Sequence, residues 1–120
     1  MRAASSASAS SRPARLSPPA RAAIGGAEIV FVSAASAWEA AIKAALGRLR
    51  LPATIEEGVG QSGFEKLPIT FPHAERAGAL PPHHGDPFDR MLVAQAQAEQ
   101  LTLVTHDRRF EPYDVEILWV

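Results

Sequence analysis

Three carboxylates stand where a hydrolytic metal site could be assembled: Glu39, Asp89 and Asp107. Hard divalent cations such as Mg²⁺ and Mn²⁺ prefer carboxylate oxygens. A protein that cuts a phosphodiester with such ions needs several carboxylates in one pocket, where the ions activate water and stabilise the attacking and leaving oxygens. Each of the three also has a structural reading. Ser36-x-x-Glu39 matches a helix capping box, and Glu39 with Lys43 is a favourable i, i+4 pair. Asp86 and Asp89 read as helix-start residues, and Asp107 as the cap of the turn before Arg108-Arg109-Phe110. Spacing alone favours the structural reading for each acid taken singly. His83 and His84 lie in a proline-rich loop without a thiol or helical i, i+4 spacing, so they read as exposed loop residues. His106, beside Asp107, could touch a phosphate or simply complete a turn. The chain has no Gly-rich phosphate loop and no Ser-centred nucleophile elbow.

The segments that must position these residues alternate between strand and helix. Ser17-Pro18-Pro19 opens a helix that runs to about Ile24 and stops at Gly25-Gly26. Glu28 to Val32 is a nearly continuous apolar run suited to a buried parallel strand. Ser33 to Leu46 is helical, with Trp38, Ile42, Ala45 and Leu46 on one face and Gly47 as a stop. A helix over Thr54–Ser62, a strand over Glu65–Ile69 and a helix over Pro72–Ala79 follow. Asp86 at the N-cap, Pro87 at the first position and Asp89 in the first turn begin a helix that continues to about Gln100. Leu101–Thr105 and Val115–Val120 complete the strands. Such alternation implies a parallel sheet covered by helices on both faces, and ligands of such sheets bind beyond the C-terminal ends of the strands. Glu39 and Asp107 each follow a strand, and the helix of Asp89 could reach the same edge.

At 120 residues the chain fits one domain, and 47% hydrophobic with 21% charged residues is ordinary for a soluble fold. Twelve Lys+Arg against thirteen Asp+Glu leave a net charge of −1, so a polyanion would need a local patch. The absence of cysteine excludes disulfides, thiolate nucleophiles and Cys-containing zinc sites. No apolar run approaches the ~20 residues of a membrane span. Met1 to Arg15 is Ser, Ala and Arg with one Pro, and no acid precedes Glu28. It lacks the apolar middle of a secretory signal, while an organelle transit peptide stays open. A flexible segment over 1–15 and a folded domain over 16–120 are expected.

Several ordered motifs carry a resemblance. Val32-Ser33-Ala34-Ala35-Ser36-Ala37-Trp38-Glu39, then Ile42-Lys43 and Leu46-Gly47-Arg48-Leu49, resembles the first half of PIN-domain proteins of the VapC toxin type. Leu67-Pro68-Ile69-Thr70 fits the family's middle. The run from His83-His84-Gly85-Asp86-Pro87-Phe88-Asp89-Arg90 to Ala96 is similar to its most recognisable stretch, and Leu103-Val104-Thr105-His106-Asp107-x-x-Phe110 to its closing motif. The similarity covers about Leu16 to Trp119. It implies a three-layer α/β sandwich and a Mg²⁺- or Mn²⁺-dependent endonuclease of single-stranded RNA. Such a toxin is cytoplasmic, is silenced by a cognate antitoxin and usually forms a homodimer. Carried over residue by residue, the family's second, third and fourth acids fall on Glu39, Asp89 and Asp107, with metal coordination as their implied role. Thr105 matches a polar residue that often supports the last acid. Asp86 reads as the N-cap that fixes the helix presenting Asp89. Arg90 and Arg109 could meet RNA phosphate.

One departure is large. The family opens with an apolar strand ending in Asp, whereas Met1 to Arg15 has no Asp and almost no large apolar side chain. The N-terminal central strand is therefore absent or degenerate, and the first metal ligand is lost with it. An empty slot in the sheet would cost several kcal/mol, against ~5–15 kcal/mol for a whole domain. Two explanations are open: a reading frame or start that differs from an intact ancestor, which is the preferred one, or Ala3 to Ser10 filling the slot as a poor strand. The expected function is a metal-dependent endoribonuclease toxin, impaired by the lost acid. The alternative is an inactive PIN-like module that only binds antitoxin or a second copy of itself.

Overall fold

The computed structural model describes residues 6–9, 29–50, 54–83 and 85–120. Five strands, β1 (Ser6–Ala9), β2 (Ile29–Ser33), β3 (Glu65–Leu67), β4 (Thr102–Thr105) and β5 (Ile117–Trp119), form one sheet in the order β3-β2-β1-β4-β5. All four pairings are parallel. Between the strands lie α1 (Ala34–Ala45), α2 (Ile55–Gln61), α3 (Phe71–Ala79) and α4 (Pro87–Glu99), and a 3₁₀ turn over Arg108–Phe110 follows β4.

The central position belongs to Ser6–Ala9. Ala7 is in register with Val30 on one side and Thr102 on the other, and Ala9 with Val32 and Val104. Of the two explanations left open, the filled slot is the one observed: Ser6–Ala9, within Ala3 to Ser10, is the degenerate central strand, and it lies in the segment read as a flexible tail. The physical reason is that a ladder is made by backbone N–H and C=O groups, which Ser and Ala supply as fully as Val or Ile. These residue types bring little apolar area, so hydrophobic patterning gives no sign of the strand. The helix expected over 17–24 lies outside the described residues.

Local grammar accounts for most other boundaries. Thr54 and Glu57 form a reciprocal capping box at α2. Gly47 takes a positive φ of 73° just after α1, a conformation that suits glycine. Successive residues of β4 divide the core. Leu103 packs on one face with Ala35, Leu92, Val93, Phe110 and Tyr113, while Val104 packs on the other with Val30, Leu118 and Val120.

Helix α1 departs from its sequence reading. Trp38 and Leu46 are each 61% exposed and Ile42 is 38% exposed, so this apolar stripe does not face the core. The buried face carries Ala35 and Ser36 instead. Ala35 belongs to the same cluster as Leu92 and Val93 of α4, where a small side chain lets two helices approach closely. Trp38 meets Phe88 edge-on, with ring centroids 4.8 Å apart.

A buried polar chain ties these parts together. Ser33 caps α1 by accepting from the Ala35 N–H at 3.0 Å, and its Oγ donates to Gln95 Oε1. Gln95 Nε2 donates to the Pro68 carbonyl at 3.2 Å and lies 3.3 Å from His73 Nδ1. Because Nδ1 accepts from the Thr70 N–H at 3.1 Å, the ring proton sits on Nε2 and faces Glu99 Oε2 at 3.1 Å. The end of β2, α3 and α4 are thereby held in one relative position.

Candidate active site

At the C-terminal edge of the sheet a cleft of about 160 Å³ opens between α1, the start of α4 and the loop after β4. Glu39 and Lys43 line it from α1. Asp86, Asp89 and Leu92 come from α4, and Thr105, His106, Asp107, Arg109 and Phe110 from the far side. The topology thus brings together three acids separated by most of the chain, at the edge where open α/β sheets bind their ligands.

The structural reading holds for some of these residues and fails for others. For Glu39 it fails: the N-cap of α1 is Ser33, not Ser36, so no capping box engages the carboxylate. Ser36 lies inside the helix with its hydroxyl buried and without a hydrogen-bond partner. Asp86 is the expected N-cap, accepting from the Phe88 and Asp89 N–H groups at 2.9 and 3.2 Å. Asp107 does cap its turn, accepting from the Arg109 N–H at 2.9 Å. Thr105 Oγ1 accepts from the Asp107 N–H at 3.1 Å, which fixes the backbone where that acid leaves the strand.

Asp89 is the anomaly. It is 9% exposed, and its buried Oδ2 accepts no hydrogen bond. Burial, reinforced by the negative charges of Asp86, Asp107 and Glu39 and opposed by Arg109, pushes its pKa up to about 6. A buried carboxylate oxygen with no donor is costly unless a cation or donor meets it.

Arg109 is placed within the cleft. Its Nε lies 3.1 Å from both oxygens of Asp107, and Nη2 lies 2.7 Å from Asp107 Oδ2 and 3.7 Å from Asp89 Oδ2. The hydrogen bonds and charge of Asp107 hold this guanidinium above its usual pKa range.

Arg90, read from sequence as a candidate phosphate contact, spends its guanidinium on the protein itself. Its Nη2 donates to the carbonyls of Ala77 and Leu80, each at 2.9 Å, and Nη1 donates to the Pro81 carbonyl at 3.0 Å and to Tyr113 Oη at 3.5 Å. With its donors turned onto the C-terminal end of α3, the side chain is absent from the cleft lining. Arg90→Ala is expected to cost about 1–3 kcal/mol in urea denaturation by stranding these carbonyls; a variant as stable as the native chain would show that these bonds contribute nothing. His83 stacks edge-on with Tyr113 at 4.9 Å, away from the acids, and His84 lies outside the described residues.

The donors are of the type a hard divalent cation takes: three carboxylates on one cleft, one of them with a buried oxygen that accepts no hydrogen bond. Among the described residues, no three His, Asp or Glu side chains stand close enough together to cage an ion in this arrangement. Lys43 is a lining residue that the sequence presents only as half of an ion pair. Its i, i+4 spacing from Glu39 was the available signal that both share one helix face.

Fold and site together define a PIN-type α/β sandwich. The chain belongs to the PIN-domain family, whose model matches residues 9–116. It is similar in fold to a chain of a toxin–antitoxin complex from Klebsiella pneumoniae, with 18% identity and a TM-score of 0.67 over 93% of this chain and 95% of that one. FitAcB from Neisseria gonorrhoeae gives 20% identity and a TM-score of 0.64 over 92% of this chain and 95% of that one. FitAB bound to an IR36 DNA fragment gives 19% identity and a TM-score of 0.62 over 92% of each chain. Comparison with curated proteins gives no match. Among the described residues no helix is long and apolar enough to cross a membrane.

Proposed function

We propose that this PIN domain is a metal-dependent endoribonuclease of the toxin type, cleaving single-stranded RNA and held in check by an antitoxin protein. The observation that carries the reading is the buried Oδ2 of Asp89, which accepts no hydrogen bond, in a cleft shared with Glu39 and Asp107. Those three carboxylates would hold Mg²⁺ or Mn²⁺ once drawn closer together than in the metal-free arrangement. A divalent cation there supplies activation of water and neutralisation of phosphate charge. The chain's own residues set the stage for it: Asp86 fixes the helix start that presents Asp89, and Thr105 fixes the backbone of Asp107. An antitoxin partner accords with structural neighbours that are toxin–antitoxin complexes; a homodimer belongs to the same proposal.

A second reading rests on a specific observation. No acid precedes Glu28, so β1 supplies no carboxylate to this edge. That favours an inactive module retaining only partner binding. Incubating the purified chain with single-stranded RNA and Mn²⁺ separates the two. Internal cleavage that disappears with EDTA and with Glu39→Gln is expected. Intact RNA after incubation with the unaltered, folded chain would overturn the nuclease reading in favour of the binding module.

A further inference from the structure

We propose that Arg109 is a tethered counter-cation that holds the metal position of the free protein, so that divalent-ion binding requires its displacement. The inference rests on the metal-site reading above. Its geometry is a fork across two acids: Nε and Nη2 grip Asp107, and Nη2 also ion-pairs at 3.7 Å with the Oδ2 of Asp89, which accepts no hydrogen bond. These are two of the three carboxylates that would hold the ion.

Two positive groups cannot share that space without strong repulsion, since unit charges a few ångströms apart interact appreciably even near a protein surface. The arginine must therefore leave before an ion can bridge Asp89 and Asp107. It is able to leave: its side chain is 61% exposed and rests on an open rim, whereas Asp89 is buried and fixed to α4. Asp107 keeps its place without the guanidinium, because its Oδ1 also accepts from the Arg109 backbone N–H and its own N–H is bound by Thr105. Once displaced, the guanidinium stays on the rim of the same cleft, where an anion drawn to the metal would meet it. Arg109 thus sets metal affinity and joins ion binding to capture of an anionic substrate.

Neighbouring Arg108 supplies the control. It carries the same charge, but its guanidinium lies over the Trp119 ring at 4.2 Å and does not line the cleft. Mn²⁺ binding to the full chain, followed by titration calorimetry and by the electron paramagnetic resonance of free Mn²⁺, tests the proposal without any RNA. Arg109→Gln is expected to tighten Mn²⁺ binding on the order of tenfold, with Arg109→Lys intermediate because it keeps the charge and loses the fork. Arg108→Gln is expected to leave the affinity within about twofold. Thermal unfolding in EDTA verifies that each variant is folded. Equal or weaker Mn²⁺ binding by Arg109→Gln overturns the role of Arg109 and leaves the metal-site reading standing. Failure of both native chain and variant to bind Mn²⁺ overturns the two together.

Discussion

Replacing Asp89 with Asn is expected to abolish the proposed Mn²⁺-dependent RNA cleavage and, in the same protein, to stabilise the metal-free fold at neutral pH. The loss of rate should be on the order of 10²-fold or more, since removing one ligand charge takes several kcal/mol from transition-state stabilisation. The gain in stability follows from a carboxyl whose pKa is raised to about 6, chiefly by burial and then by Asp86. In the unfolded chain the same group titrates near 3.9. Between about pH 4 and 6 the folded protein keeps a proton that the unfolded chain has given up, so stability falls as pH rises through that window. Above about pH 6 the full cost is present. It amounts to on the order of 1–2 kcal/mol once screening by the open cleft is allowed for. Urea denaturation in EDTA at pH 4.5 and 7.5 measures it, and the difference between native chain and Asp89→Asn cancels the other titrating groups. The native chain should lose stability relative to the variant on going to pH 7.5. A difference that does not change with pH would show that the buried carboxylate carries no such cost.

The second large effect concerns the fold itself: a chain beginning at Leu16 is expected not to fold. It would lack Ser6–Ala9, and β2 and β4 would each lose the partner that sits between them. A buried backbone group left unpaired costs ~1–3 kcal/mol, and two inner ladders hold enough such groups to exceed the ~5–15 kcal/mol of a typical domain. Ser8→Pro in the full chain is a milder probe. It removes an N–H from the central strand, where proline is poorly tolerated, and should cost about 1–3 kcal/mol. Far-UV circular dichroism and urea denaturation decide the matter. A cooperatively unfolding fragment of residues 16–120 would mean that Ser6–Ala9 is dispensable.

What the sequence disclosed tracks the kind of force at work. Asp86-Pro87-Phe88-Asp89 announces its helix because capping and proline geometry are local, and the observed helix begins at Pro87. The apolar runs around Val30 and Leu103 announce buried strands because burial selects residue type. Ser6–Ala9 gives no side-chain signal because backbone pairing selects no residue type, and only the family's missing strand pointed to Ala3 to Ser10 as a poor one. The stripe of Trp38, Ile42 and Leu46 misleads for a related reason: helical spacing shows which residues share a face, not which face meets the core, and here Ala35 meets it. The site divides along the same line. Glu39, Asp89 and Asp107 were nameable through family motifs, and the fold brings them to one cleft. The task of Arg90 was hidden, since its partners are main-chain carbonyls whose positions depend on how α3 ends.

The placement of β1 also governs when the molecule can exist during synthesis. Ala7 is synthesised long before one of its two partners, Thr102. Until then the earliest strand has one neighbour, β2, and the sheet cannot close. Contacts spanning nearly the full sequence carry a large loop-closure entropy and slow folding. Asp107 follows the last of these partners by only a few residues. The acidic cleft is therefore completed at about the moment the sheet becomes able to close, and a nascent or prematurely terminated chain has neither.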